Sequence, residues 1–249
     1  MTSNRDDSSE AARGNPIPRP LPDGSSFGRI PARQRRNAAW RTAAAAALVC
    51  AAGLAVAHSV TDGFQSYTLE SARRLHALRS PSALPDLALD LADGRRARIS
   101  EIPAQVLLVD FVYTNCPTLC TALGSVNAQL QRRLAPEIAS GRVRLVSVSF
   151  DPARDDPERL RAYRARYSPD PDGWDLGRPA PSGDLQRWLD AFGVVVVPDG
   201  LGGYAHNAAV HVVGPDRKLL AIHGLEDIDG VVTTAREIIR RTGPNAAAR

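Results

Sequence analysis

Methionine occurs only at Met1, which excludes a site that grips a soft metal through thioethers. Cysteine is almost as scarce. Of the three, Cys50 lies inside an apolar N-terminal run, so any sulfur chemistry falls to Cys116 and Cys120. Lysine is reduced to Lys218 among 31 basic residues, a bias of composition that carries no functional content. Aromatics make up 5% of the chain and nowhere interleave with a basic stripe, so the usual signature of nucleic-acid binding is missing. The positive charge does not restore it. Eight arginines and four acidic residues fall in the first 41 positions, and that surplus equals the formal net charge of +4 of the whole chain. The rest is balanced, so the basic charge belongs to one end and serves orientation at a membrane.

That end has three parts. Residues 1–31 are rich in Ser, Pro, Gly, Arg and Asp and lack apolar periodicity, a composition that cannot offset the entropy of ordering, so 1–37 is expected as a disordered basic tail. Arg33, Arg35, Arg36 and Arg41 then precede the run Thr42 to Ala57, and residues 38–60 reach the roughly 20 positions that a bilayer needs. Arginines before the run and none clustered just after it place the tail in the cytoplasm and the remainder outside. Ala55-Val56-Ala57 also fits a cleavage site that would release a soluble domain. The long region before it favours an uncleaved anchor. Cys50 makes a poor lipoprotein cysteine, because apolar sequence continues after it. Residues 61–84 read as a polar linker and 85–249 as one domain of ample size for a core.

Within that domain the pattern alternates. A short strand pair near Leu87–Leu91 and Ala97–Ile99 turns at Asp93-Gly94. Strand 104–112, helix 117–139, strand 143–150 and helix 157–168 follow, the last with Asp156 as cap and Pro157 at its first position. Helix 182–192 with Ser182 as cap, a strand at 194–197, a hairpin of 208–213 with 218–223, and a helix at 228–241 complete the chain. A βαβ half followed by a ββα half predicts an α/β, thioredoxin-like fold with a mixed central sheet flanked by helices.

Cys116 and Cys120 stand at the corner between the strongest strand and the helix expected to begin near Pro117. Residues four apart on a helix share a face about 6 Å apart, so the two sulfurs can close a disulfide or hold one soft metal ion. The positive end of the helix favours thiolate. Cu(I) suits soft sulfur, and two thiolates with one imidazole satisfy both copper oxidation states. Five histidines are available. His58 and His76 lie in the anchor and linker, whereas His206, His211 and His223 lie around the last hairpin. His206, beside Gly202, Gly203 and Asn207, sits in a loop able to reach the cysteine corner. His211 and His223 read as structural.

Three runs in order, Phe111-Val-Tyr-Thr-Asn-Cys-Pro-Thr-Leu-Cys120, Val148-Ser-Phe-Asp-Pro-Ala-Arg-Asp-Asp-Pro157, and His206 before Gly214-Pro-Asp216, resemble the Sco/SenC family over residues 85–241. The resemblance implies a membrane-anchored, thioredoxin-fold copper protein that assists assembly of the binuclear copper centre of cytochrome c oxidase. It implies Cys116 and Cys120 as copper thiolates, His206 as imidazole ligand and Asp151 as an acidic residue near the site. It also implies a bacterial inner-membrane protein whose C-terminal domain is periplasmic, with the oxidase's copper-site subunit as partner, beside other periplasmic copper chaperones or thioredoxin-like reductants. Two positions depart from the family. Thr121 follows the second cysteine where proline is usual, and Ala205 precedes His206 where aspartate is usual, which bears on an outer-shell contact and so on copper affinity. A copper chaperone without turnover is the leading reading. A thiol-disulfide reductase that uses the redox pair Cys116 and Cys120 is the alternative. A thiol peroxidase fits worst, since the Pro-x-x-x-Thr-x-x-Cys arrangement is missing.

Overall fold

The computed structural model describes residues 32–61, 63–64, 68–116, 119–168, 170, 172–180 and 184–243. The expected tail at 1–31, Pro117 as first helical residue and Ser182 as a cap lie outside them. The chain divides into two compact units after Val56. Helix α1 (Ala32–Val60) opens it. Its stretch Ala39–Val60 is 22 residues long, apolar enough to cross a membrane and uncovered by protein.

The larger unit is built on eight strands in the order β1-β10-β9-β4-β5-β6-β2-β3. Strand β4 (Val106–Val112) lies at the centre and is buried along its whole length, in keeping with a run that is apolar except at Asp110 and covered on both faces. It pairs in parallel with β5 (Val143–Ser149), which pairs in parallel with β6 (Trp174–Pro179). On its other edge β4 pairs antiparallel with β9 (Val210–Val213), followed by β10 (Lys218–His223). β2 (Ala88–Leu91) and β3 (Arg96–Arg98) form the expected hairpin beyond β6, and the two-residue β1 (Ser82–Ala83) closes the opposite edge on β10. Helices α3 (Leu119–Arg133), α4 (Ala135–Ala139), α5 (Pro157–Tyr167), α6 (Leu185–Phe192) and α7 (Ile228–Thr242) flank this mixed sheet. The fold is thioredoxin-like, as the element order predicts.

Three local differences have identifiable causes. The helix expected at 117–139 breaks at the buried Leu134, because Pro136 cannot donate to the helical ladder and its ring crowds the carbonyl four residues back. Strand β6, not anticipated, is disguised by Gly177 and Pro179. A Cβ at Gly177 would meet Leu91 Cδ2 at 3.0 Å and Leu89 Cβ at 3.2 Å, so the glycine that weakens the strand signal is what lets β2 pack there. Helix α2 (Leu69–Arg79) occupies part of the expected linker, closed at its start by reciprocal Thr68 and Ser71 hydrogen bonds of 3.0 Å. Its apolar residues Leu69, Ala72, Leu75, Ala77 and Leu78 are interspersed with Glu70, Arg73, Arg74 and Arg79, and tertiary contacts add to what fixes it. Arg73 donates to the carbonyls of Phe192 at 2.8 Å and Gly193 at 3.0 Å.

Apart from the main sheet stands a two-stranded ribbon, β7 (Val196–Pro198) against β8 (Tyr204–His206), with Val196 opposite His206. A lone ribbon of this size is marginal in water, so its placement depends on what holds it.

Candidate metal centre

The parallel register that sets Val112 beside Ser149 brings the loops after β4 and β5 to the same end of the sheet. The first loop carries Cys116. The second contains Asp151, Arg154 and Asp155. Cys120 falls in the first turn of α3 and is buried, whereas Cys116 precedes the helix and is partly exposed. The Cys120 amide donates to Cys116 Sγ at 3.3 Å, and the Tyr113 amide donates to Cys120 Sγ at 3.5 Å.

Ribbon strand β8 delivers His206 to the same place. Among the described residues, Cys116, Cys120 and His206 form the one group of three metal-ligating side chains of this kind, their ligand atoms all within 4.8 Å of one another. Phe150 and Tyr113 lie edge-on to the imidazole, with ring centroids 4.9 Å and 6.3 Å away. Both ring nitrogens of His206 are buried and lack a hydrogen-bond partner among the described residues. Such an orphaned polar group costs free energy unless something else meets it. Burial also pulls the imidazole's pKa below its ordinary value, which keeps a lone pair available.

Electrostatics correct one expectation. Burial pushes the Cys120 thiol's pKa well up, and the neighbouring Cys116 and Asp110 push the same way, so without metal Cys120 is a thiol rather than the thiolate expected of a helix start. Position near a helix end counts for less than the loss of water. Behind it, Asp110 is buried with one oxygen held by Asn127 Nδ2 at 2.5 Å and the other without a partner among the described residues. Burial raises its pKa to about 7 against the opposing hydrogen bonds of Ser147 and Asn127.

The remaining histidines stay apart from this group. His211 is buried between Val109 O, 3.0 Å from Nδ1, and Arg73 Nη1, 3.3 Å from Nε2. Burial, and then the Arg73 charge, hold it neutral with a pKa of about 3. His223 spans Asp227 Oδ2 at 2.7 Å and Thr234 Oγ1 at 3.1 Å. His58 and His76 lie in α1 and α2. Asp151 is buried, but its carboxylate pairs with Arg154 and is not one of the clustered groups.

Sequence reasoning passed over the residue that ties the thiol loop down. Asp155, fully buried, accepts from the Thr114 amide at 3.1 Å and 3.2 Å, from Thr114 Oγ1 at 2.6 Å and from Ser149 Oγ at 2.5 Å. A carboxylate just after a parallel strand adjacent to the cysteine strand was the available signal. Tyr113 and Phe150, which bracket His206, stood unremarked inside the quoted runs.

A thioredoxin-like fold with two thiols and an unpartnered imidazole at its reactive corner defines the class: a thiol- and histidine-bearing protein of the thioredoxin type. Residues 83–240 match the SCO1/SenC family model, and the chain belongs to the SCO1/SenC family. It is 31% identical over 144 residues to the SCO1 protein homolog of Bacillus subtilis, which covers 57% of this chain and 71% of that one. A Stutzerimonas stutzeri protein named for copper binding is 28% identical over 141 residues, or 55% of this chain and 67% of that one. Among solved structures, BsSco, described as having a disulfide switch and as a member of the Sco family of cytochrome c oxidase assembly proteins, aligns with a TM-score of 0.56 at 26% identity. That alignment covers 64% of this chain and 94% of BsSco.

Proposed function

We propose that this chain is a membrane-tethered copper-binding protein that takes copper as cargo on Cys116, Cys120 and His206 and serves assembly of the binuclear copper site of cytochrome c oxidase. The carrying observation is the imidazole of His206, buried beside two sulfurs without a hydrogen-bond partner among the described residues. Soft sulfur suits Cu(I), and the added nitrogen suits Cu(II). The relative named for copper binding and the assembly role given for BsSco support the same reading. Met1 is the sole methionine, so no thioether competes for the ion. The apolar stretch Ala39–Val60 supplies the tether, and the arginines ahead of it orient the cysteine domain outward, into the periplasm of a bacterial inner membrane. The test is copper titration of the full-length, reduced protein in detergent. One copper per chain is expected, with tight Cu(I) binding lost in Cys116→Ser and in Cys120→Ser. Stoichiometric copper retained by the double variant would end this reading.

One observation favours a second role, reduction of a partner's disulfide. Cys116 is partly exposed and Cys120 buried, an asymmetry that suits an attacking thiol backed by a resolving one. Copper stoichiometry against the rate of disulfide exchange with an oxidised cysteine peptide separates the two roles.

A further inference from the structure

The ribbon that carries His206 is held to the rest of the unit through ring contacts of Tyr204 and His206 with Tyr113 and Phe150 and through a set of polar contacts. Asn207 anchors its base, accepting from the Val195 amide at 2.7 Å and donating to Gly193 O at 3.1 Å. The Tyr204 amide donates to the Tyr113 hydroxyl at 3.3 Å. At the tip, Asp199 closes the turn on the amides of Leu201 and Gly203 at 2.8 Å and 2.9 Å. Onto that closed turn reaches a side chain from the β5–α5 loop. Arg154 Nη1 donates to Gly202 O at 2.6 Å, and the guanidinium lies 5.4 Å from the centre of the Tyr204 ring. Its Nε is committed to the buried carboxylate of Asp151. Asp151 is itself fixed, its amide donating to Ser149 Oγ at 3.0 Å and its carbonyl accepting from the amides of Arg154 and Asp155 at 3.0 Å and 2.9 Å.

We propose that Arg154 is a positioning residue that seats His206 on the cysteine pair: anchored by Asp151, it clamps the ribbon tip, while the next residue, Asp155, holds Thr114 two positions before Cys116. One short loop thus registers both halves of the centre, the thiols through Asp155 and the imidazole through Arg154. The planar guanidinium suits the task because one side chain meets a carboxylate, a carbonyl and an aromatic face together, which an ammonium cannot do. This inference rests on the copper reading for its metal effects, but the clamp itself is a property of the metal-free protein. Asp151 then acts one step removed from the centre, through the arginine it orients.

The test uses the full-length protein in detergent. In the metal-free state, hydrogen exchange of the ribbon amides from Val196 to His206 is expected to quicken about tenfold or more in Arg154→Ala, while the amides of β4 and β5 exchange as in wild type. Unchanged ribbon exchange would overturn the clamp whatever the fate of the copper reading. With copper, Arg154→Ala is expected to keep one Cu(I) per chain, yet to weaken Cu(II) about 10- to 100-fold and to dim the thiolate-to-Cu(II) charge-transfer bands. Arg154→Lys, which keeps the ion pair with Asp151, should recover part of both effects. Cu(II) binding and charge-transfer bands of wild-type strength in Arg154→Ala would mean that Arg154 does not act through His206. A wild-type protein that takes up no copper yet shows the exchange effect would retain the clamp and sink the copper reading alone.

Discussion

Replacing Asp155 with alanine should cost far more than replacing the neighbouring Asp156, though both are acidic residues in one loop. Asp156 is exposed and caps α5 by accepting from the Arg159 amide at 2.8 Å, so Asp156→Ala should cost about 1 kcal/mol. Asp155 is fully buried and meets three donors: the Thr114 amide, the Thr114 hydroxyl and the Ser149 hydroxyl. A hydrogen bond to a charged group contributes about 1.5–3 kcal/mol, and a buried donor left unpaired costs about 1–3 kcal/mol. The hydroxyls can turn towards other acceptors, but the Thr114 amide cannot. The expected loss for Asp155→Ala is therefore about 3–5 kcal/mol, which at about 2–4 °C per kcal/mol lowers Tm by roughly 6–20 °C. Asp155→Asn keeps one acceptor for the amide and should lose about half as much. Thermal unfolding in detergent, followed by fluorescence of the buried Trp174 and Trp188, measures all three variants. If Asp155→Ala melted within a degree or two of Asp156→Ala, the claim that this carboxylate anchors the thiol loop would be wrong.

Further expectations concern the histidines, the buried acid and the topology. His206→Ala should spare much of the Cu(I) binding and remove the Cu(II) form, whereas His211→Ala should leave the thiolate-to-Cu(II) bands in place; the opposite pattern in an absorption titration would mean the wrong histidine had been assigned. Asp110 holds its proton to a pH of about 7 when folded and to about 3.9 when unfolded. The unfolded chain therefore gives up the proton first, and this group's contribution to stability falls as pH rises from about 4 to about 7. Asp110→Asn lacks that titration, so its advantage over wild type should grow across the window by up to about 4 kcal/mol, and a difference in urea midpoints that stayed flat with pH would contradict the raised pKa. A periplasm-active reporter fused after Arg249 should be active and fractionate with membranes, while activity of a cytoplasm-restricted reporter alone would overturn the export model.

Much of the site could be read in the linear order because its parts are local. A largely apolar strand running towards Cys116 and a capped helix after Asp156 are each written within a dozen residues, and the side-chain periods translate them directly into strand and helix, whereas the glycines beside His206 suggest a loop where the structure forms strand β8. The same holds for the apolar stretch Ala39–Val60, whose length and composition mark a helix able to cross a membrane without reference to the rest of the chain. Longer-range features stayed hidden for a physical reason. Helix α2 mixes its apolar residues with charged ones, and part of what holds it is Arg73 reaching carbonyls more than a hundred residues away. Strand β6 looks like a loop because Gly177 answers to β2, a strand far earlier in the chain. Burial decided the protonation of Cys120 against the pull of the helix end, and burial is a property of the assembled core. The division of labour in Asp151-Pro-Ala-Arg-Asp155 likewise emerged only in three dimensions: the acidic residue singled out by resemblance turns towards Arg154, and the unremarked Asp155 grips the thiol loop. Local pattern determined which residues could do the chemistry; the parallel register of β4 and β5 and the seating of a free-standing ribbon decided which of them meet.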